Sequence, residues 1–86
     1  MAEQAHRPVF SEAAAEALLS LPRRRQHRVL RLVHQLASRP HIRSDYSLPD
    51  DSGRMIEYLV LEDYVFGYWV DDAVREVRLV DIEDVS

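Results

Sequence analysis

Between Ser11 and Leu21 the apolar residues Ala14, Leu18 and Leu21 fall at i, i+4 and i+7, and Ala15 and Leu19 widen the stripe. That spacing predicts an amphipathic helix with one buried face. Ser11 suits the N-cap, because its hydroxyl can accept a hydrogen bond from a free amide of the first turn, and Glu12 suits the positive end of the helix dipole. Ser20-Leu21-Pro22 breaks this helix and starts a second, since proline fits a first turn but not an interior. From Arg23 to Ser38, Val29, Leu32, Val33 and Leu36 repeat at helical spacing, while Arg24, Arg28, Arg31 and Gln35 line the opposite side. The pair forms an antiparallel helical hairpin with a basic outer surface. Arg39-Pro40 closes it, because the residue before proline is pushed out of the α region.

Ahead of the helices, Met1–Arg7 reads as a loose start, and Pro8-Val9-Phe10 as a short edge strand, where the missing amide hydrogen of proline is tolerated. Behind them, His41–Gly53 contains Pro49, Gly53 and the polar run Asp50-Asp51-Ser52, the composition of a loop of about a dozen residues. Three strand-like runs follow. Arg54–Leu61 and Tyr64–Val70 are rich in β-branched and aromatic residues and are separated only by Glu62-Asp63, which predicts a tight antiparallel hairpin without the glycine such turns prefer. A second turn at Asp71-Asp72-Ala73 leads to Glu76–Ile82, where Val77 and Leu79 alternate with Arg78 and Val80. The expected fold class is α+β, in the order β-α-α-β-β-β: a short N-terminal strand, a helical hairpin, then a three-stranded antiparallel meander with one face covered by the helices.

Composition narrows the function classes. Eighty-six residues with 47% hydrophobic content and only two Gly and four Pro make a single domain, residues 1–86, with its own core. The absence of Cys excludes disulfides, thiolate nucleophiles and Cys-ligated zinc, and it fits a reducing cytoplasm. No apolar run approaches the roughly 20 residues that span a bilayer, so no membrane association is expected.

The net charge of −4 hides an asymmetry. Residues 1–44 hold eight Arg against three acids, net +5, whereas residues 45–86 hold three Arg against twelve acids, net −9. The front half can meet an anion; the back half repels one.

Four short motifs, taken in order, point to a family. They are Phe10-Ser11-x-x-Ala14 opening the first helix, Leu18-x-x-Leu21-Pro22 at the break, Leu36-x-x-x-Pro40 closing the second helix, and Asp63-Tyr64-x-x-x-Tyr68-x-x-Asp71-Asp72 through the central strand and turn. On these the chain resembles the RelE/ParE superfamily of type II toxin–antitoxin toxins, from Pro8 to about Val85. The resemblance implies a small twisted sheet on a helical hairpin, a cognate antitoxin protein as partner, and a cytoplasmic role in growth regulation. It also implies a target, either the ribosome with its mRNA or DNA gyrase, and leaves homodimer formation open.

Members of that family that cleave mRNA on the ribosome do so without a metal or other cofactor, using Lys and Arg side chains on the exposed sheet face. Cations are needed there because a transferring phosphoryl group concentrates negative charge. The present sequence departs from the pattern. Glu57, Tyr58, Leu59 and Val60 stand where the second strand often alternates basic residues, Val65 replaces the basic residue after the Asp-Tyr pair, and Asp81, Glu83 and Asp84 occupy the end of the last strand. The residues left to form a smaller catalytic anion site are Arg54, Tyr58 and Arg78, with Arg43 beside them in the preceding loop. The alternative for Arg54 and Arg78 is cross-strand pairing with acids such as Glu57 or Glu76. Two activities therefore compete: an mRNA interferase-like toxin with a rearranged site, and a non-nucleolytic member that binds gyrase or only an antitoxin.

The basic helix face of Arg24, Arg28 and Arg31 is a second candidate surface for RNA or a partner, against the plainer role of a solvated face. Trp69 is an anchor for a partner peptide if it lies on the open side of the sheet; Tyr64, Phe66 and Tyr68 share one parity and Val65, Gly67 and Trp69 the other. His27, His34 and His41 recur every seven residues, which is not the i, i+4 spacing of a helical metal site. Asp45, Asp50 and Asp51 lack the alternating acids of a calcium loop. No metal site is expected.

Overall fold

The computed structural model describes residues 5–86, so the first four residues of the loose start expected over residues 1–7 lie outside the described residues. In chain order the elements are β1 (Arg7–Phe10), α1 (Glu12–Leu19), α2 (Arg23–Ser38), β2 (Tyr46–Pro49), β3 (Met55–Leu61), β4 (Tyr64–Asp71) and β5 (Glu76–Asp84). They form the expected α+β fold with one addition. The sheet has five strands in the order β1-β5-β4-β3-β2, with β1 parallel to β5 and the remaining neighbours antiparallel.

Local signals place the helices. The Ser11 hydroxyl caps α1 by accepting from the Ala14 amide at 3.1 Å, and the Ser11 amide donates to the Leu79 carbonyl at 2.8 Å, fixing the helix start to β5. Pro22 precedes α2 without a side-chain cap, and the Gln26 amide group instead donates to the Leu21 carbonyl at 2.8 Å, which holds the elbow between the helices. Val29, Leu32, Val33 and Leu36 are all buried, as their spacing predicts. Leu19 is not: at 70% exposure it lies outside the α1 stripe, whose buried side is Ala14 flanked by Ala17, Leu18 and Leu21.

The core lies between the helices and one face of the sheet. Tyr64, Phe66, Tyr68, Val77, Leu79 and Ile82 meet Ala14, Val29, Leu32, Val33 and Leu36 in one cluster. Leu79 and Ile82 are three residues apart yet share this face. A register shift beside Gly67/Tyr68 leaves Val80 as an extra residue on β5, so the alternation starting at Val77 slips by one.

Two expectations need correction. The segment read as a loop contains β2, a four-residue strand exposed throughout and paired with β3 from Tyr46↔Tyr58 to Pro49↔Met55. It escaped notice because a short edge strand buries no apolar face and tolerates Pro49, so it has neither periodicity nor burial to announce it. Arg7 belongs to β1 and not to a loose start, its partner across the ladder being Glu76. Turn positions also differ slightly: residues 72–75 form the second turn, and Arg54 precedes β3.

Candidate functional site

Strand alternation and register decide which side chains share the open face. The Tyr64, Phe66, Tyr68 parity faces the helices, so Val65, Gly67 and Trp69 face away. The pairs Trp69↔Arg78, Asp71↔Glu76, Gly67↔Asp81 and Val65↔Glu83 put those β5 residues on the same side, and Tyr58↔Gly67 and Val60↔Val65 add Tyr58 and Val60 from β3.

At the centre of this face Trp69 is flanked by two guanidinium groups. Arg54 Cζ lies 3.7 Å from the ring centroid and Arg78 Cζ 5.5 Å, both within the reach of a cation–π contact. Thus the structure brings Arg54, Arg78 and Trp69 together. Tyr58 lies one strand away, its ring stacked on Tyr46 with centroids 4.9 Å apart and planes 9° from parallel. Gly67 is required beside it: a Cβ there would stand 2.9 Å from Tyr58 Cε1.

The two arginines are not equivalent. Arg78 donates to Glu76 Oε1 at 2.7 Å, and the other oxygen of the same carboxylate takes Arg7. Glu76 is only 8% exposed, and its carboxyl is held below the usual glutamate range, first by the Arg7 hydrogen bond working against burial, then by Arg78. Arg78 is therefore paired with an acid, but with Glu76 two residues along its own strand and not across the sheet; the partner that reaches Glu76 from a neighbouring strand is Arg7. Arg54 differs. Glu57 points to the helix side and accepts from the Ser44 and Ser47 hydroxyls at 2.6 and 2.7 Å, leaving Arg54 without an ion pair among the described residues.

Arg54 and Trp69 also line a cleft of about 580 Å³ at the end of the sheet, closed on its far side by the segment from Pro40 to Ser44. Arg43 lies in this lining and likewise makes no ion pair among the described residues. Tyr68 contributes its phenol, whose pKa is pushed up to about 12 by burial and then by the negative charges of Glu57 and Asp45. At neutral pH such a group donates a hydrogen bond and does not act as a base. The lining also carries the carboxylates of Glu57 and Asp72, so an anion is held only at the side where the two guanidiniums, the indole and the neutral phenol stand.

The helix arginines lie elsewhere. Arg24, Arg28 and Arg31 are exposed on the outer side of α2, behind the sheet, so they take no part in the open face. Arg28 comes within 4.0 Å of Glu62, and Arg25 pairs with Asp84. The loop carboxylates are spent on backbone: Asp50 Oδ1 accepts from the Ser52 and Arg54 amides at 2.8 and 3.0 Å, and Asp45 Oδ2 from the Val60 amide at 2.7 Å.

Sequence reasoning named Glu76 as a possible partner of Arg78 but missed Arg7 and Tyr46 as neighbours of the site. It also missed a cluster in which His6 and His41 both direct Nε2 at Asp72 Oδ1, at 2.9 and 3.0 Å. Partners 66 and 31 residues apart leave no spacing to read.

No protein-family model matches the sequence, and no curated protein matches it. Solved structures do match in shape. The toxin–antitoxin complex RelBE2 from Mycobacterium tuberculosis superposes with a TM-score of 0.77 at 20% identity, covering 93% of this chain and 91% of that one. The archaeal RelE–RelB complex from Pyrococcus horikoshii gives 0.70 at 20% identity over 96% and 98% of the two chains. The isolated E. coli RelE toxin gives 0.72 at 17% identity over 95% and 86%. At such identities the likeness is one of fold: this chain has the RelE toxin fold over nearly its whole length.

Proposed function

We propose that this chain is the toxin-side member of a type II toxin–antitoxin pair and that a cognate antitoxin is its partner. The observation that carries the proposal is the match of the fold to chains from RelBE complexes over 93% and 96% of this chain. The open face supports it. Tyr46, Leu48 and Val60 are 47%, 53% and 45% exposed around the Trp69 group, an apolar surface of the kind a partner segment covers. Co-expression with the product of an adjacent short reading frame tests the pairing: a stable 1:1 or higher complex that relieves growth arrest is expected, and failure of neighbouring products to bind refutes it.

Within that role two activities are set against each other by specific residues. Arg43, Arg54 and Trp69 favour an RNA-directed toxin, because unpaired guanidiniums beside an indole suit phosphate and base together. Glu76, Asp81 and Glu83 favour a non-nucleolytic binder, because they neutralise or repel the charge a scissile phosphate would bring. A purified translation system separates them. Ribosome-dependent mRNA cleavage lost in Arg54→Ala supports the first. Growth arrest with intact mRNA and a DNA-damage response supports a gyrase-directed binder; no growth effect leaves an antitoxin-binding domain.

A further inference from the structure

Away from the aromatic face, three chain segments converge on one point. His6 stands just before β1, with its backbone amide donating to the Ala37 carbonyl at 3.0 Å; His41 follows α2; Asp72 opens the turn between β4 and β5. The two imidazoles meet edge to face, centroids 5.9 Å apart and planes at 87°, and both Nε2 atoms approach the same carboxylate oxygen. All three potential ligand atoms lie within 4.8 Å of one another. In a tetrahedral zinc site, bonds of about 2.0–2.2 Å place ligand atoms roughly 3.3–3.5 Å apart. The Nε2–Oδ1 separations of 2.9 and 3.0 Å open by a few tenths of an ångström to reach this spacing. Rotation of the exposed His41 and Asp72 side chains about the less exposed His6 supplies that and brings the two Nε2 atoms, which lie within 4.8 Å, to the same spacing.

We propose that His6, His41 and Asp72 form a binding site for a divalent transition metal of the zinc type. The donor set is the argument. Two imidazoles and one carboxylate suit zinc and its neighbours, whereas magnesium and calcium prefer oxygen throughout. Three protein ligands leave one tetrahedral position for water or an anion. His41 and Asp72 also line the cleft that holds Arg43 and Arg54. Binding would clamp the first strand to the far ends of α2 and β4. The proposal is independent of the toxin assignment, since it uses none of the residues on the Trp69 face.

Calorimetric titration of Zn²⁺ into the untagged full chain tests it. One equivalent is expected to bind, with affinity falling about tenfold or more in Asp72→Asn and in His41→Gln, each of which removes one of three ligands. The double variant His27→Gln/His34→Gln, which alters the exposed histidines of α2, should bind as the unaltered chain does. Zn²⁺ should also raise the melting temperature of the unaltered chain but not of Asp72→Asn, and Mg²⁺ should do neither. All three residues are at least partly exposed and outside the core cluster, so the variants should fold, as far-UV circular dichroism will verify. Absence of saturable binding, unchanged affinity in Asp72→Asn and His41→Gln, or loss of binding in the α2 double variant would overturn the proposal.

Discussion

Gly67→Ala should destabilise the protein, and it should do so through one ring. The added Cβ would sit 2.9 Å from Tyr58 Cε1 and 3.3 Å from Asp81 Cβ, against an ordinary carbon–carbon contact of about 3.5–4.0 Å. Tyr58 cannot simply swing away, because its ring is stacked on Tyr46. Overpacking of this kind costs about 1–3 kcal/mol, and loosening the stack adds a fraction of the roughly 0.5–1.5 kcal/mol such pairs contribute. Opposing this, alanine in a strand interior is preferred over glycine by about 0.5–1 kcal/mol. The net expectation is a loss near 1 kcal/mol, or a fall in melting temperature of about 4–8 °C for a domain of this size. In a Tyr58→Ala background the main clash is gone, so the same Gly67→Ala change should be neutral or stabilising by up to about 0.5–1 kcal/mol. Urea unfolding of the four proteins, followed by circular dichroism, gives the coupling directly. Equal destabilisation in both backgrounds would show that the ring is not what requires glycine.

Glu76→Gln should raise affinity for single-stranded RNA if the open face meets phosphate, since it releases Arg78 and Arg7 from their shared carboxylate; the slope of log K against log salt should steepen by about 0.7 per freed cation, measured by fluorescence anisotropy. The same carboxyl is held below its usual value of 4.5, so its stabilisation is complete above that pH and lost as pH falls through the lowered value. The urea midpoint should drop on acidification, and Glu76→Gln should lack this part of the drop. Tyr68 behaves oppositely: a phenol raised from 10 to about 12 contributes stability below pH 10 that disappears as pH rises toward 12. Tyr68→Phe should therefore flatten the alkaline limb of the stability profile. Glu62 has φ of 55°, the left-handed region, in the two-residue turn between β3 and β4. Glu62→Gly should stabilise by about 1 kcal/mol or slightly less by thermal unfolding, the long contact to Arg28 at 4.0 Å being worth little at the surface.

The helices were legible in the sequence because their signals are local. Ser11, Pro22 and the Val29–Leu36 spacing each act within one or two turns, and the bounds of α2 match those read from periodicity. β3 to β5 were legible from apolar and aromatic density, but their faces were not. Parity alone cannot tell which side of a strand is covered until something is packed on it, and the Val80 bulge breaks the alternation that would extend the assignment along β5. β2 carried no burial signal at all. The site was half legible for the same reason. Arg54, Arg78 and Trp69 could be named as candidates from the sequence, but their convergence depends on the register of β4 on β5 and on where the chain enters β3. Glu76 as the shared partner of Arg7 and Arg78 depends on a parallel β1–β5 ladder that joins the two ends of the chain.

That ladder also explains how a basic front half and an acidic back half yield a nearly balanced open face. Pairing Arg7↔Glu76 and Val9↔Arg78 lays the N-terminal strand against the acidic final strand, so Arg7 is consumed by Glu76 instead of adding to a cationic surface. The remaining basic residues of the front half stand mainly on the outer side of α2, behind the sheet. What stays free near the open face is the pair Arg43 and Arg54, at the cleft and not along the β5 end, where Asp81 and Glu83 lie. The cations an anionic ligand meets without a carboxylate partner are therefore on the cleft side, whereas Arg78 is already bound to Glu76. It follows that Arg54→Ala should weaken anion binding more than Arg78→Ala in the unaltered chain, and that the order should narrow or reverse once Glu76→Gln has released Arg78. The same titration with a short single-stranded RNA reads both; equal losses in the two backgrounds would mean that Glu76 does not govern the charge of this face.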